Sequence, residues 1–225
     1  MKVFTIQPLA VYELLREEGV FHSRPLDFPH STLLHNNENF KFALAYDWLI
    51  GKMIERGLVR PHPEVFPIWA YLTRPDLRLG WLRGWARDER LVLLTARIPD
   101  ERVFLSDYDR WFICINYCPG GTMKAWDAFV RRCKRIAPHH PYDQPYPEPL
   151  HQELLDSWHE VVDPLRIRKK RWNPLGKHDL QATFWELTAD QVTEALAYGE
   201  GKPREVLPLP VGPKARRRRH PIVDG

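Results

Sequence analysis

Hydrophobic and polar positions change period several times along the chain. In "KVFTIQ", Val3, Phe4 and Ile6 crowd β-forming side chains into one short span, which predicts a strand. Pro8 stands where a helix can begin, and apolar residues then return at helical spacing through "LAVYELLREEG" until Gly19 supplies the stop. Residues 22–37 read as loop. The clearest helix is "ENFKFALAYDWLIGKMIERG", where Phe42, Tyr46, Leu49, Met53 and either Ile50 or Ile54 form an apolar stripe ended by Gly57. "VFPIWAYLT" predicts a strand, and "RPDLRLGWLRGWARDER" an arm or hairpin. "RLVLLTARIP" predicts a buried strand, and "VFLSDYDRW" a strand end or a turn into a helix.

Further on, "WDAFVRRCKRI" predicts a short helix with basic residues on one side, and "APHHPYDQPYPEP" a proline-rich surface connection. "LHQELLDSWHEVVD" predicts a helix and "DLQATFWEL" a strand. "TADQVTEALAYG" predicts a helix with Thr188 as N-cap and Gln191 three residues on. Strands and helices mix without regular βαβ repetition, so the expected class is α+β: a mixed, mostly antiparallel sheet flanked by helices. A single domain is expected over residues 1–199, followed by a flexible, basic, Pro/Arg-rich tail over 200–225.

Composition sharpens this only in places. Nine tryptophans predict a compact aromatic core, and 21 prolines predict many chain reversals rather than long helices. The net charge of +4 is uneven. Arg166, Arg168, Lys169, Lys170 and Arg171 form one basic run; Lys214 and Arg216, Arg217, Arg218 and Arg219 form another; the remainder is acidic. The two runs are either solvated segments or docking surfaces for nucleic acid or another polyanion. Three cysteines give no disulfide framework, and no apolar run reaches membrane-spanning length, so a cytoplasmic setting and no membrane partner are expected.

Cys114 and Cys118 lie in the apolar run "WFICINYCP" and lack paired zinc-ligand spacing, so no metal is expected. No phosphate-binding glycine loop or metalloprotease motif occurs. Ser106, Asp107 and Asp109 follow an apolar strand; they line a cleft or cap the next helix. The Arg and Trp of residues 74–90 suit base stacking and phosphate contact, or inward Trp with solvated Arg. In the strand near residue 183, alternation puts Gln181, Thr183, Trp185 and Leu187 on one face and Leu180, Ala182, Phe184 and Glu186 on the other. A neutral Gln–Thr pair suits hydrogen bonding to a ligand, or to neighbouring strands. It does not suit general-base work, which needs a titrating group.

The segments "TIQ", "AYDWL", "PIWA", "FLSDYD" and "QATFWEL" resemble a bacterial family of domains of unknown function, over most of residues 1–198. That family implies no established activity. Segment order also resembles the ADP-ribosyltransferase superfamily, within it the DarT-like enzymes that modify DNA bases. "FTIQPLAVYELLREEG" is similar to their first strand and helix, "RLVLLTARIPDERVFLSD" to their central strands, and "DLQATFWELTADQV" to their closing catalytic strand. The resemblance implies NAD or a related nucleotide as substrate, with no tightly bound cofactor, and a nucleic-acid or protein acceptor. It places Gln181 and Thr183 at the catalytic pair and Gln7, Arg24, Tyr71 and Asp107 around the nucleotide. Thr183 stands where those enzymes carry a glutamate, and Thr5 and Gln7 stand where their first strand carries His or Arg. Loss of that carboxylate removes electrostatic help worth orders of magnitude in rate. The RNA 2′-phosphotransferases of the superfamily use Arg and His instead, which would fall here to His22, Arg24 and Arg74. Two expectations therefore stand: an ADP-ribosyltransferase-like enzyme, or a non-catalytic nucleotide- or nucleic-acid-binding protein on a degenerate transferase-like fold.

Overall fold

The computed structural model describes residues 1–24, 40–141, 144–162 and 180–212. Two compact units interleave along the chain. The first comprises Met1, His22–Arg74 and Pro99–Trp185; the second comprises Lys2–Phe21, Pro75–Ile98 and the chain from Glu186 onward.

In the first unit, β3 (Ile68–Tyr71), β5 (Phe104–Asp107) and β6 (Leu180–Phe184) form antiparallel ladders with β6 in the middle. Among the described residues, this unit carries the helices α2 (Phe40–Glu55), α4 (Tyr108–Ile115), α5 (Met123–Ile136) and α6 (Leu150–Ser157). The stripe read in α2 is buried at Leu49, Met53 and Ile50, while Phe42 and Tyr46 are partly buried and Ile54 is exposed; with Ala45, the buried residues pack with Phe104, Trp111, Phe129, Leu154, Trp158 and Trp185. Three tryptophans of this core have their N–H groups satisfied, as burial of an indole favours. Trp158 Nε1 donates to the Cys118 carbonyl at 2.8 Å, Trp185 Nε1 to the Leu58 carbonyl at 3.3 Å, and Trp69 Nε1 to the Tyr46 hydroxyl at 3.0 Å. Burial pushes the Tyr46 hydroxyl pKa upward, against the smaller lowering effect of that Trp69 donor.

In the second unit, the strand order is β1 (Lys2–Pro8), β4 (Arg90–Arg97), β8 (Val192–Gly199), β9 (Lys202–Leu207), antiparallel throughout. Helix α1 (Leu9–Glu18) follows β1 directly and ends at Gly19, whose φ of 81° is the left-handed conformation a helix C-terminus favours. A two-residue pair joins β2 (Val20–Phe21) to β7 (Leu187–Thr188). Helix α3 (Gly80–Asp88) lies against β8. A side chain at Gly199 would collide with the carbonyl oxygens of Ala86 and Glu89, so this close approach requires glycine.

The α+β class and the mostly antiparallel pairing agree with the sequence reading. Three local expectations change. The span expected as an arm or hairpin is a turn followed by α3. The helix expected from Thr188 is the strand β8, preceded by a single 3-10 turn over Ala189–Gln191. The capping-box pair is nevertheless in place, with the Thr188 N–H donating to Gln191 Oε1 at 3.0 Å. The tail expected from residue 200 begins instead with β9, which pairs with β8. β4 is an apolar strand buried along six consecutive residues, so it needs a hydrogen-bonding partner on both edges. β8 supplies the second edge, and this tertiary demand overrides the weak helical reading of "VTEALAYG".

Candidate functional site

β6 carries its polar residues as the alternation predicts. In the register of β3, β6 and β5, Tyr71 pairs with Gln181 and Gln181 with Ser106; one step along, Trp69 pairs with Thr183 and Thr183 with Phe104. Two cross-strand rows result, one polar and one largely apolar. Gln181 is 4% exposed and Thr183 is fully buried. Gln181 Nε2 donates to Ser106 Oγ at 3.1 Å, and Thr183 Oγ1 donates to the Phe104 carbonyl at 3.4 Å. Both polar groups are bonded to the neighbouring strand β5, the second of the two readings the sequence left open.

Asp107, at the end of β5, is the N-cap of α4. Its Oδ1 accepts from the Arg110 backbone N–H at 3.0 Å, and its Oδ2 lies 3.7 Å from Arg110 Nε. Arg110 Nη1 also donates to the Glu160 carboxylate. One guanidinium thus sits between two buried carboxylates, tying the start of α4 to the turn over Trp158–Val162. Tyr71 is partly buried, with its ring 6.2 Å from that of Tyr108, which in turn lies 5.5 Å from the Phe112 ring.

Tyr71, Asp107, Gln181 and Thr183 are therefore brought together on adjacent strands of the first unit. Arg24 belongs to the same unit, is exposed and closes a described segment. His22 is partly buried and Arg74 exposed in that unit. Gln7 lies in the second unit, on β1 opposite Val92, and donates through Nε2 to Thr5 Oγ1 at 2.7 Å. Sequence reasoning missed Arg110 and Glu160, because a lone Glu in "SWHEVV" carries no signal until the fold sets it beside the arginine. Among the described residues, no group of three or more His, Cys, Asp or Glu is arranged to hold a metal ion. Among them, too, no helix is long and apolar enough to cross a membrane.

The basic side read in "WDAFVRRCKRI" is present on α5. Thr122 caps this helix, its Oγ1 accepting from the Ala125 N–H at 3.3 Å, and Phe129 and Cys133 are its buried face. Burial raises the Cys133 thiol pKa. Lys124, Arg131 and Arg135 repeat at i, i+7 and i+11 along one exposed side, flanked by Lys134, and the exposed Asp127 lies among them. Arg132 is instead paired with Glu153, with Nε 3.1 Å from Oε2. The two basic runs, Arg166–Arg171 and Arg216–Arg219, lie outside the described residues.

Fold and site together define an α+β protein with antiparallel ladders, a neutral polar row bonded between strands, and a basic helix face. The family model described as a domain of unknown function (DUF3841) matches residues 2–193, and the chain belongs to that family. No curated protein matches the chain. No solved structure matches it.

Proposed function

We propose that the protein is a non-catalytic nucleic-acid-binding protein on a transferase-like fold. The observation that carries this reading is the exposed face of α5. Lys124, Arg131, Lys134 and Arg135 are all exposed there and make no ion pair among the described residues. Helix stability accounts for only part of the set: Asp127, one turn before Arg131, is a favourable neighbour for it. Cations at Lys134 and Arg135 complement the helix dipole in the last turn, but Lys124 occupies the first turn, where that dipole disfavours a positive charge. At 1.5 Å rise per residue, the line from Lys124 to Arg135 spans about 16 Å, a length suited to several successive phosphates.

The strand that the transferase resemblance marks as catalytic supports the non-catalytic half of the reading. Gln181, Thr183 and Ser106 do not titrate, and the side chains of Gln181 and Thr183 are bonded to β5. ADP-ribosyl transfer from NAD is the second reading. It is favoured by the pairing of Tyr71, which the resemblance sets at the nucleotide, with Gln181, which it sets in the catalytic pair.

One set of measurements separates the two. Binding to duplex DNA is measured across salt concentrations for the natural protein and for a variant with Lys124, Arg131, Lys134 and Arg135 all changed to Gln. The magnitude of the slope of log K against log salt is expected to fall by about 3 to 4 in the variant. An unchanged slope overturns the assignment to α5. Incubation with labelled NAD, with and without nucleic acid, is expected to release no nicotinamide; release would establish the transferase reading.

A further inference from the structure

A second surface with the same chemistry lies in the other unit, on α3. This helix buries Leu82 and leaves Trp81 half exposed, with Leu79 just ahead of it 46% exposed. Trp81 makes no hydrogen bond or ring contact among the described residues. Trp85, one turn later on the same flank, donates through Nε1 to Glu89 Oε2 at 2.7 Å. Arg83 and Arg87, also one turn apart, are exposed on the other flank and make no ion pair among the described residues. Gly80 and Gly84 lie between the flanks, and a side chain added at either would meet nothing within 4 Å.

The pattern works against the helix itself. Like charges at i and i+4 repel, and glycine in a helix interior lowers helix propensity. Packing does not require Gly84, because the space above it is open. The exposed side of α3 is thus bare backbone at Gly80 and Gly84, ending at the exposed Asp88, with flat aromatic rings along one margin and guanidinium groups along the other. Trp81 and Trp85 are separated by about 6 Å along the axis, close to the spacing of successive bases in an extended single strand.

We propose that α3 is a contact surface for single-stranded nucleic acid, in which Trp81 stacks on an unpaired base while Arg83 and Arg87 meet the adjoining phosphates. The inference rests on the nucleic-acid reading above and names the strand form that this unit selects. An unpaired base offers a π-face that a duplex keeps inside its stack, and indole against base is the stacking contact that single-strand binders use. An acidic peptide would answer the arginines but leave the indole and the bare strip without a partner.

The test titrates the full chain with a fluorescently labelled single-stranded oligonucleotide and with its duplex form. Single strands are expected to bind more tightly than duplex. Trp81→Ala is expected to weaken single-strand binding by about 5-fold to 150-fold, the range for loss of one stacked base, with little change for duplex. Trp81→Phe, which keeps a ring, is expected to restore most of the affinity. Arg83→Gln and Arg87→Gln are each expected to reduce the magnitude of the salt slope on single strands by about 0.7. Duplex binding that depends on the α5 cations, together with single-strand affinity indifferent to Trp81→Ala, overturns this inference and leaves the α5 reading standing. Binding to neither form overturns both.

Discussion

Thr183 is fully buried and spends its hydroxyl on the Phe104 carbonyl, so its polarity serves the sheet. Thr183→Val keeps the shape and removes that bond. The expected loss of stability is about 1 kcal/mol, measured by thermal unfolding. Thr183→Glu is expected to cost far more, because it places a carboxylate at a fully buried position. A stable Thr183→Glu protein that turns over NAD would show the position to be a working catalytic site. The period-2 alternation made the shared face of Gln181 and Thr183 legible in advance. It could not show what lies across from them, since Ser106 and Phe104 come from a strand more than 70 residues away.

At the scale of elements, the best-read pieces are those whose stripe agrees with local propensity. Helix α2 has a continuous apolar stripe, and α1 ends at a glycine in the left-handed conformation. The start of α4 was legible only as one of two readings, a cleft or a cap, and Asp107 proves to be the cap. β8 was misread because "VTEALAYG" has residues that suit either state; the unsatisfied edge of β4 decides it. Helix α3 was misread because its glycines and alternating Trp and Arg imitate a hairpin arm. The tie between α4 and the turn at Trp158–Val162 has a measurable weight. Arg110→Met removes the cation from between the Asp107 and Glu160 carboxylates, and breaking a buried pair this way costs about 3 to 5 kcal/mol. Urea denaturation is expected to show that loss; a change under about 1 kcal/mol would mean that both carboxylates reach water.

Taken over the whole molecule, burial sets how the protein responds to alkali. Tyr117 and Tyr198 are both buried, and burial pushes the hydroxyl pKa of each up to about 12. Tyr198 carries a buried hydroxyl without a hydrogen-bond partner among the described residues. A folded-state pKa above the unfolded value means that the folded chain holds its proton more tightly. The resulting stability is present below about pH 10 and is lost as the pH rises toward 12. Stability is therefore expected to decline by about 1 kcal/mol per pH unit for each tyrosine across that window, and Tyr198→Phe is expected to flatten the decline. Denaturation at a series of alkaline pH values checks this; equal slopes in both proteins would mean that Tyr198 ionises in the folded state as freely as in the unfolded.

The sequence alone determined the α+β class, most strands and helices, the neutrality of the Gln181–Thr183 pair and the basic side of α5. Each of these is local: side-chain period, cap chemistry and residue type act over a few neighbours along the chain. The tertiary structure decided that Gln181 and Thr183 are spent on β5, that Arg110 joins Asp107 to Glu160, and that residues 192–207 extend a sheet. Those outcomes depend on which distant segment covers or pairs with each residue. A hydrogen bond or a buried charge is settled only where the partner arrives, and one-dimensional pattern does not encode that meeting.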